Sequence, residues 1–242
     1  MKKYLKNKIF EIISNCSAEI NVDSYVIGGF VRDSIIGLKK PKDIDIVCVG
    51  SGINLAKNVS KRLKLNKVQI FKNFGTAMIK YNDLEIEFVG ARKESYSKDS
   101  RNPTVKKTSL DEDQKRRDFT INTIAISLNK NSYGEIIDPF EGVNDIKRKV
   151  IRTPLDAHLT YFDDPLRMMR AIRFSSQLNF EIEKKSLDSI IQNSKRIKII
   201  SQERITEELN KIIKSNKPSV GLNLLFQTNL LKYFFSELSD LQ

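Results

Sequence analysis

Apolar and polar positions follow two regimes along this chain. Up to about residue 150, short apolar runs alternate with amphipathic stretches. The runs Tyr25–Ile27, Ile44–Val49, Val68–Phe71, Ala77–Tyr81, Glu85–Val89 and Ile124–Leu128 predict strands. From about Leu155 onward, apolar residues recur at three- and four-residue spacing, which predicts helices with one buried face. Between the regimes lies DPFEGVNDIKRKVIRTP, whose turn residues predict a domain junction. The stretch RKESYSKDSRNPTVKKTSLDEDQK, Arg92 to Lys115, has few apolar residues and many charges, and predicts a mobile loop. The opening MKKYLKNKIFEII has lysines but no uninterrupted apolar segment, so it predicts an amphipathic helix rather than a signal peptide. No repeat of fixed period is present. The expected architecture is α+β: a first domain over residues 1–150 with a mixed sheet and flanking helices, then an all-α domain over residues 151–242.

Composition narrows the class. With 242 residues, 40% of them hydrophobic, the chain can bury a sizeable core. No apolar run approaches the roughly 20 residues that span a bilayer, and no membrane partner is expected. Cys16 and Cys48 lie far apart in apolar surroundings, which fits a reduced, cytoplasmic protein. The net charge of +12 points to a polyanion partner such as nucleic acid, although lysine-rich surfaces also serve solubility. A single histidine, His158, excludes a His-rich metal site and a catalytic His pair. It also excludes a His-Asp phosphohydrolase domain within these residues. No protein partner is evident.

The stretch YVIGGFVRDSIIG places Gly28 and Gly29 between a strand and a helix expected to start at Phe30. Backbone N–H groups at such a junction, with no Cβ in the way, can approach a triphosphate closely. Arg32 in the first turn can reach the same phosphates, while Asp33 either caps the helix or anchors Arg32. No G-K-[ST] follows and no third glycine is present, so this is neither a Walker loop nor a dinucleotide fingerprint. In KKPKDIDIVCVG, Asp43 and Asp45 sit two apart and so share one strand face. Two adjacent carboxylates favour a cation between them, and a hard divalent ion would fit. Alternatively, Asp43 begins the strand and Asp45 faces solvent. Glu85 and Glu87 share a face in the same way; either could supply a third acid, or form a solvated strand edge.

Two further motifs carry charge. In KRRDFTINTIA, Arg116 and Arg117 are adjacent and would diverge by about 100° on a helix. One could contact ribose or phosphate while the other pairs with an acid such as Asp118; alternatively Asp118 caps the stretch that follows. In DDPLRMMRAIRFSSQLNF, Pro165 suits a first helical turn and makes Asp164 a natural N-cap. Asp164 and Arg167, three apart, could also present an acceptor and a donor to one base edge. Arg170 and Arg173 continue that ridge toward base or triphosphate, and Leu166, Met169 and Ile172 form the packed side.

Taken together, G-G-x-V-R-D, the D-x-D strand, R-R-D-F-T-x-N and D-D-x-x-R resemble the class II tRNA nucleotidyltransferases and bacterial poly(A) polymerases, in the family's order from about Tyr25 to Asn210. The resemblance implies a polymerase-β-like nucleotidyltransferase head followed by a helical neck. It implies Mg²⁺, with Mn²⁺ as an alternative, held by catalytic Asp43 and Asp45. Gly28, Gly29, Arg32, Arg116, Arg117 and Asp118 would bind nucleotide and triphosphate, Asp164 and Arg167 would select CTP or ATP, and Arg170 and Arg173 would contact base or triphosphate. The implied partner is the 3′ end of tRNA, and the implied activity is CCA addition. Poly(A) polymerisation, CC-only or A-only addition, and a non-catalytic RNA-binding module are the alternatives. Asp163 stands where the family usually has Glu. DPFEG resembles the hinge before the neck, with Val143 in place of a second glycine, and ISQERITEELNKIIKS, with Glu203 and Arg204, resembles the neck helix. The family commonly continues beyond such helices into body and tail segments.

Overall fold

The computed structural model describes residues 1–38, 42–72, 75–97 and 100–240. They divide into two compact units. The first comprises residues 1–93, 105–117 and 121–146; the second comprises residues 94–104, 118–120 and 147–242. No helix among the described residues is long and apolar enough to cross a membrane.

The first unit is built on a seven-stranded mixed sheet. Its chain begins with α1 (Lys8–Glu19), β1 (Ser24–Ile27), α2 (Gly29–Ile36), β2 (Asp43–Cys48) and α3 (Gly52–Arg62). It continues through β3 (Gln69–Phe71), β4 (Thr76–Tyr81) and β5 (Leu84–Gly90). Next in the chain come β6 (Arg92–Ser97) and β7 (Ser100–Lys107), most of whose residues belong to the second unit, and the first unit resumes with α4 (Leu110–Lys115), β8 (Ala125–Ser127), β9 (Ile136–Ile137) and most of α5 (Gly142–Arg148). The strand order is β3-β4-β5-β2-β1-β8-β9. Among the described residues of this sheet the central β2–β5 pair alone is parallel, which requires a crossover, and α3 lies within it. Strand alternation sends Ile44, Ile46 and Cys48 of β2 inward, and all three are buried. Ile27, Val47, Ala91, Leu110 and Ala125 form a second core cluster that seats α4 against the strands.

Both cysteines are free and buried. Burial pushes the Cys48 thiol up to about 12, so it packs as a small hydrophobe. The expected mobile loop is corrected: β6 and β7 pair as a two-stranded sheet and α4 follows, although residues 98 and 99 lie outside the described residues. Ser109 caps α4, its hydroxyl accepting from Glu112 N–H, and Asp111, Glu112 and Asp113 fill the first turn, where acids suit the helix dipole. The expected junction also has a defined form. Asp138 accepts hydrogen bonds from the Gly142 and Val143 amides at 2.7 and 2.9 Å, capping α5.

The second unit is mainly helical, with α6 (Ala157–Asp163), α7 (Leu166–Leu178), α8 (Lys184–Asn193), α9 (Gln202–Ile213), α10 (Pro218–Gln227), α11 (Leu230–Phe234) and α12 (Ser236–Ser239). A short parallel pair joins β10 (Val150–Ile151) to β11 (Glu181–Ile182). Helix α7 is the hub, packing on α9 and α10. Leu166, Met168, Met169, Ile172 and Phe174 supply its buried face. His158 is exposed, stacked on Phe162 and hydrogen-bonded to Asn193.

Candidate nucleotidyl-transfer site

In the first unit the separate motifs converge. Gly28 ends β1 at φ 79°, ψ −137°, a conformation that disfavours any side chain. A Cβ there would lie 3.3 Å from Asp45 Oδ2 and 3.5 Å from Arg117 Nη1. The glycine, the second carboxylate of D-x-D and the second arginine of RRD therefore meet at one point. Helix α2 begins at Gly29, one residue before the expected start. Arg32 is buried, and its Nε donates to Asp33 Oδ1 at 2.7 Å while Nη1 donates to Asn122 Oδ1 at 2.7 Å. Asp33 thus anchors Arg32, settling the alternative left open above. Asn122 ties the FTIN stretch to the glycine turn.

The parallel register of β2 and β5 sets Asp43 beside Glu85 and Asp45 beside Glu87. The two glutamates part company here. Glu85 forms an exposed ion pair with Lys80 at 2.5 Å. Glu87 instead lines, with Asp45, Thr76, Arg92, Arg116 and Arg117, a cavity of about 500 Å³ whose apolar wall includes Val47, Phe71 and Met78. Burial raises the Glu87 carboxyl above its ordinary range and the Asp45 charge raises it further, opposed by a hydrogen bond from Thr76 and the charge of Arg92. Asp43 is exposed at the start of β2, on the same strand face as Asp45.

Among the described residues, no group of three or more His, Cys, Asp or Glu side chains is arranged to hold a metal. The donor chemistry nonetheless fits a hard divalent ion. Asp43 and Asp45 offer two carboxylates on one face, and mutual repulsion with Glu87 favours a cation at Asp45. Mg²⁺ is commonly held by one or two carboxylates, with water and substrate phosphates completing its shell.

The arginine pair departs from expectation. Helix α4 ends at Lys115, so Arg116 and Arg117 lie past its last turn and both line the cavity instead of diverging. The acid observed between them is Asp113 rather than the expected Asp118. Asp113 is fully buried; its Oδ1 accepts from Arg116 Nη2 at 2.6 Å and its Oδ2 from Arg117 Nε at 3.1 Å. Burial raises its carboxyl, but Arg117 and Arg116 outweigh that and hold it below the ordinary range. The sequence reading missed Asp113 and Arg92. The D-x-x-R-R spacing was a signal for Asp113, since residues three and four apart meet on a helix.

The remaining candidates belong to the second unit. Asp118 accepts from the Phe119 amide at 2.8 Å and pairs with Arg170, whose Nη2 lies 2.6 Å away. It thus makes the local bond expected of a cap while holding an arginine of α7. Helix α7 begins at Leu166 with Pro165, not the expected Asp164, as its N-cap residue; Asp164 is the C-cap residue of α6 instead, and its Oδ1 accepts from the Leu166 amide at 3.2 Å. Asp164 and Arg167 are each 9% exposed. Burial raises the Asp163 carboxyl, and the charges of Arg167 and Arg196 oppose that. Arg173 is held inside the unit: its Nε lies 2.6 Å from Glu208 Oε2 on α9, and its guanidinium lies 4.1 Å from the Phe174 ring centre.

Residues 24–152 match the family model described as the poly A polymerase head domain. Residues 179–241 match a second, described as "Probable RNA and SrmB- binding site of polymerase A". The chain is 40% identical over 190 residues to an A-adding tRNA nucleotidyltransferase of Aquifex aeolicus (strain VF5), covering 78% of this chain and 22% of that protein. It is 37% identical over 211 residues to a CCA-adding enzyme of Bacillus velezensis (strain DSM 23117 / BGSC 10A6 / LMG 26770 / FZB42), covering 86% and 51%. A crystal structure of a tRNA nucleotidyltransferase complexed with a primer tRNA and an incoming ATP analog superposes with a TM-score of 0.80 at 33% identity, covering 92% of this chain and 62% of that one. The chain thus spans about half, or less, of the length of these curated relatives. With a head-domain match over more than half of its residues and the motifs of that head meeting around one cavity, the chain belongs to the family of tRNA nucleotidyltransferases and poly(A) polymerases.

Proposed function

We propose that the chain is a template-independent tRNA nucleotidyltransferase that adds CCA to tRNA 3′ ends from CTP and ATP, in the cytoplasm, with Mg²⁺ (or Mn²⁺) as cofactor. In this reading residues 1–150 form the catalytic head and residues 151–242 the neck. The observation that carries it is the meeting of Gly28, Asp45 and Arg117 beside a cavity lined by Glu87, Arg92 and Arg116. Similarity to the A-adding and CCA-adding proteins supports it.

In the reaction, the tRNA 3′-oxygen forms a bond to the α-phosphorus as the bond to the bridging oxygen breaks and pyrophosphate leaves. Asp43 and Asp45 would hold the divalent ion, which when bound acidifies the attacking hydroxyl and neutralises phosphate charge. Gly28 and Gly29 leave backbone room for the triphosphate. Arg116 and Arg117 offer planar donor forks to its oxygens, and Arg32, already braced by Asp33 and Asn122, presents a preset cation. Asp164 and Arg167 supply an acceptor and a donor for a base edge, with Arg170 positioned by Asp118.

Primer extension with a tRNA lacking CCA, and with one ending in CC, tests the reading using CTP and ATP separately and together. Growth of the first by three nucleotides only when both are present is the expected result, with Asp45→Ala inactive at an unchanged circular dichroism spectrum. Unlimited growth with ATP alone would make the chain a poly(A) polymerase, and undiminished Asp45→Ala would remove the carboxylate assignment. A second reading, addition of A alone, is favoured by the identity to the Aquifex aeolicus A-adding protein. It predicts extension of the CC-ending tRNA only.

A further inference from the structure

We propose that Asp113 is a positioning residue that turns Arg116 and Arg117 into a single two-pronged receptor for the phosphates of the incoming nucleotide; this rests on the reading of the site given above. Adjacent residues on a helix point about 100° apart, so two neighbouring arginines do not ordinarily serve one cavity. Here α4 stops at Lys115, and Arg116 follows as its C-cap residue with φ −77° and ψ −11°. Asp113, three and four residues earlier, then divides its two oxygens between them. Its Oδ1 accepts from Nε and Nη2 of Arg116 at 3.0 and 2.6 Å. Its Oδ2 accepts from Nε of Arg117 at 3.1 Å and lies 3.0 Å from Nη2 of the same guanidinium as an ion pair. Each guanidinium is therefore gripped on one edge, which sets its plane.

The same carboxylate reaches the sheet. Asp113 Oδ1 also accepts from the Arg92 amide at 3.2 Å, and Arg116 Nε donates to the Arg92 carbonyl at 2.9 Å. The start of β6 is thereby fixed to the arginine pair. Asp113 itself has no exposed surface and does not line the cavity, whereas Arg92, Arg116 and Arg117 do. It acts on a ligand only through its neighbours. A buried carboxylate offsets one of the two positive charges in the absence of substrate and leaves both cations oriented, so a net positive pair stands ready and little reorganisation is needed when phosphate arrives.

Inorganic tripolyphosphate, which has phosphates and no base, is the probe. Its affinity is measured by calorimetry on the unaltered chain, Asp113→Asn and Asp113→Glu, beside the steady-state kinetics of nucleotide addition. For Asp113→Asn, tripolyphosphate affinity should fall by about 10- to 100-fold, the worth of an oriented charge-assisted hydrogen bond. KM for nucleotide should rise in the same proportion, while kcat at saturation and KM for tRNA stay within about threefold. Asp113→Glu keeps the negative charge between the arginines but moves the carboxylate by one methylene, so it guards against loss of folding in the first variant. It should also weaken tripolyphosphate binding, at an unchanged circular dichroism spectrum. Unaltered affinity in either folded variant overturns the positioning role and leaves the site assignment standing. Failure of the unaltered chain to bind tripolyphosphate overturns the site assignment and the proposal together.

Discussion

Glu87 shows how one side chain takes its character from a neighbour on another strand. Facing Asp45 from inside the cavity, it has a carboxyl raised first by burial and then by the Asp45 charge. A carboxyl whose pKa is higher in the folded than in the unfolded chain contributes most stability in acid, and that contribution is lost as pH rises through the folded value. In the absence of divalent metal, Glu87→Gln should therefore raise Tm at neutral pH, and the gain should vanish on acidification. Melting curves in chelator across that pH range check this, and an equal Tm at neutral pH would contradict it. Added Mg²⁺ should raise the Tm of the unaltered chain more than that of Glu87→Gln, since the cation relieves the same repulsion. At this scale the chemistry of the motifs was legible in the sequence, but their partners were only partly so. Asp33 was narrowed to two roles; the choice fell to Arg32, whose Nε lies 2.7 Å away. Asp113 was hidden in a charged stretch because its meaning depends on where α4 ends.

Helix α7 is an element whose position depends on a few buried charges. Arg173 and Glu208 join α7 to α9 with side chains 12% and 5% exposed, while Lys211, 49% exposed, adds a peripheral contact at 3.0 Å. Removing one partner of a buried pair strands the other charge, so Glu208→Ala should cost about 3 kcal/mol. Lys211→Ala should cost well under about 1 kcal/mol, as expected of an exposed pair. Urea denaturation of both variants measures the difference, and equal costs would show that burial does not govern this pair. The helices of this unit were readable because apolar positions recur at helical spacing. The β6–β7 pair was not, because its residues lack the apolar alternation that marks a strand packed on a core, and the two strands pair with each other in a separate sheet.

For the molecule as a whole, the excess of twelve positive charges is the property that a large polyanion would feel first. Affinity for tRNA should fall steeply with salt, by about 0.7 to 0.9 decades per decade of salt for each phosphate contacted. Titrations at a series of salt concentrations give the slope, and a flat response would exclude a charge-led interface. The sequence by itself determined the residue types, their order and their local period. From these followed the alternation of strands and helices, the family and most members of the site. The tertiary structure decided which charge faces which. Asp45 meets Glu87 because β2 and β5 pair in parallel, and Asp45 meets Gly28 and Arg117 because β1 lies beside β2 and α4 is seated against that sheet. Periodicity and motif spacing are local properties of a chain. The choice of partner depends on which distant segments become neighbours, and that is settled by burial of the core and the hydrogen-bond register of the sheet.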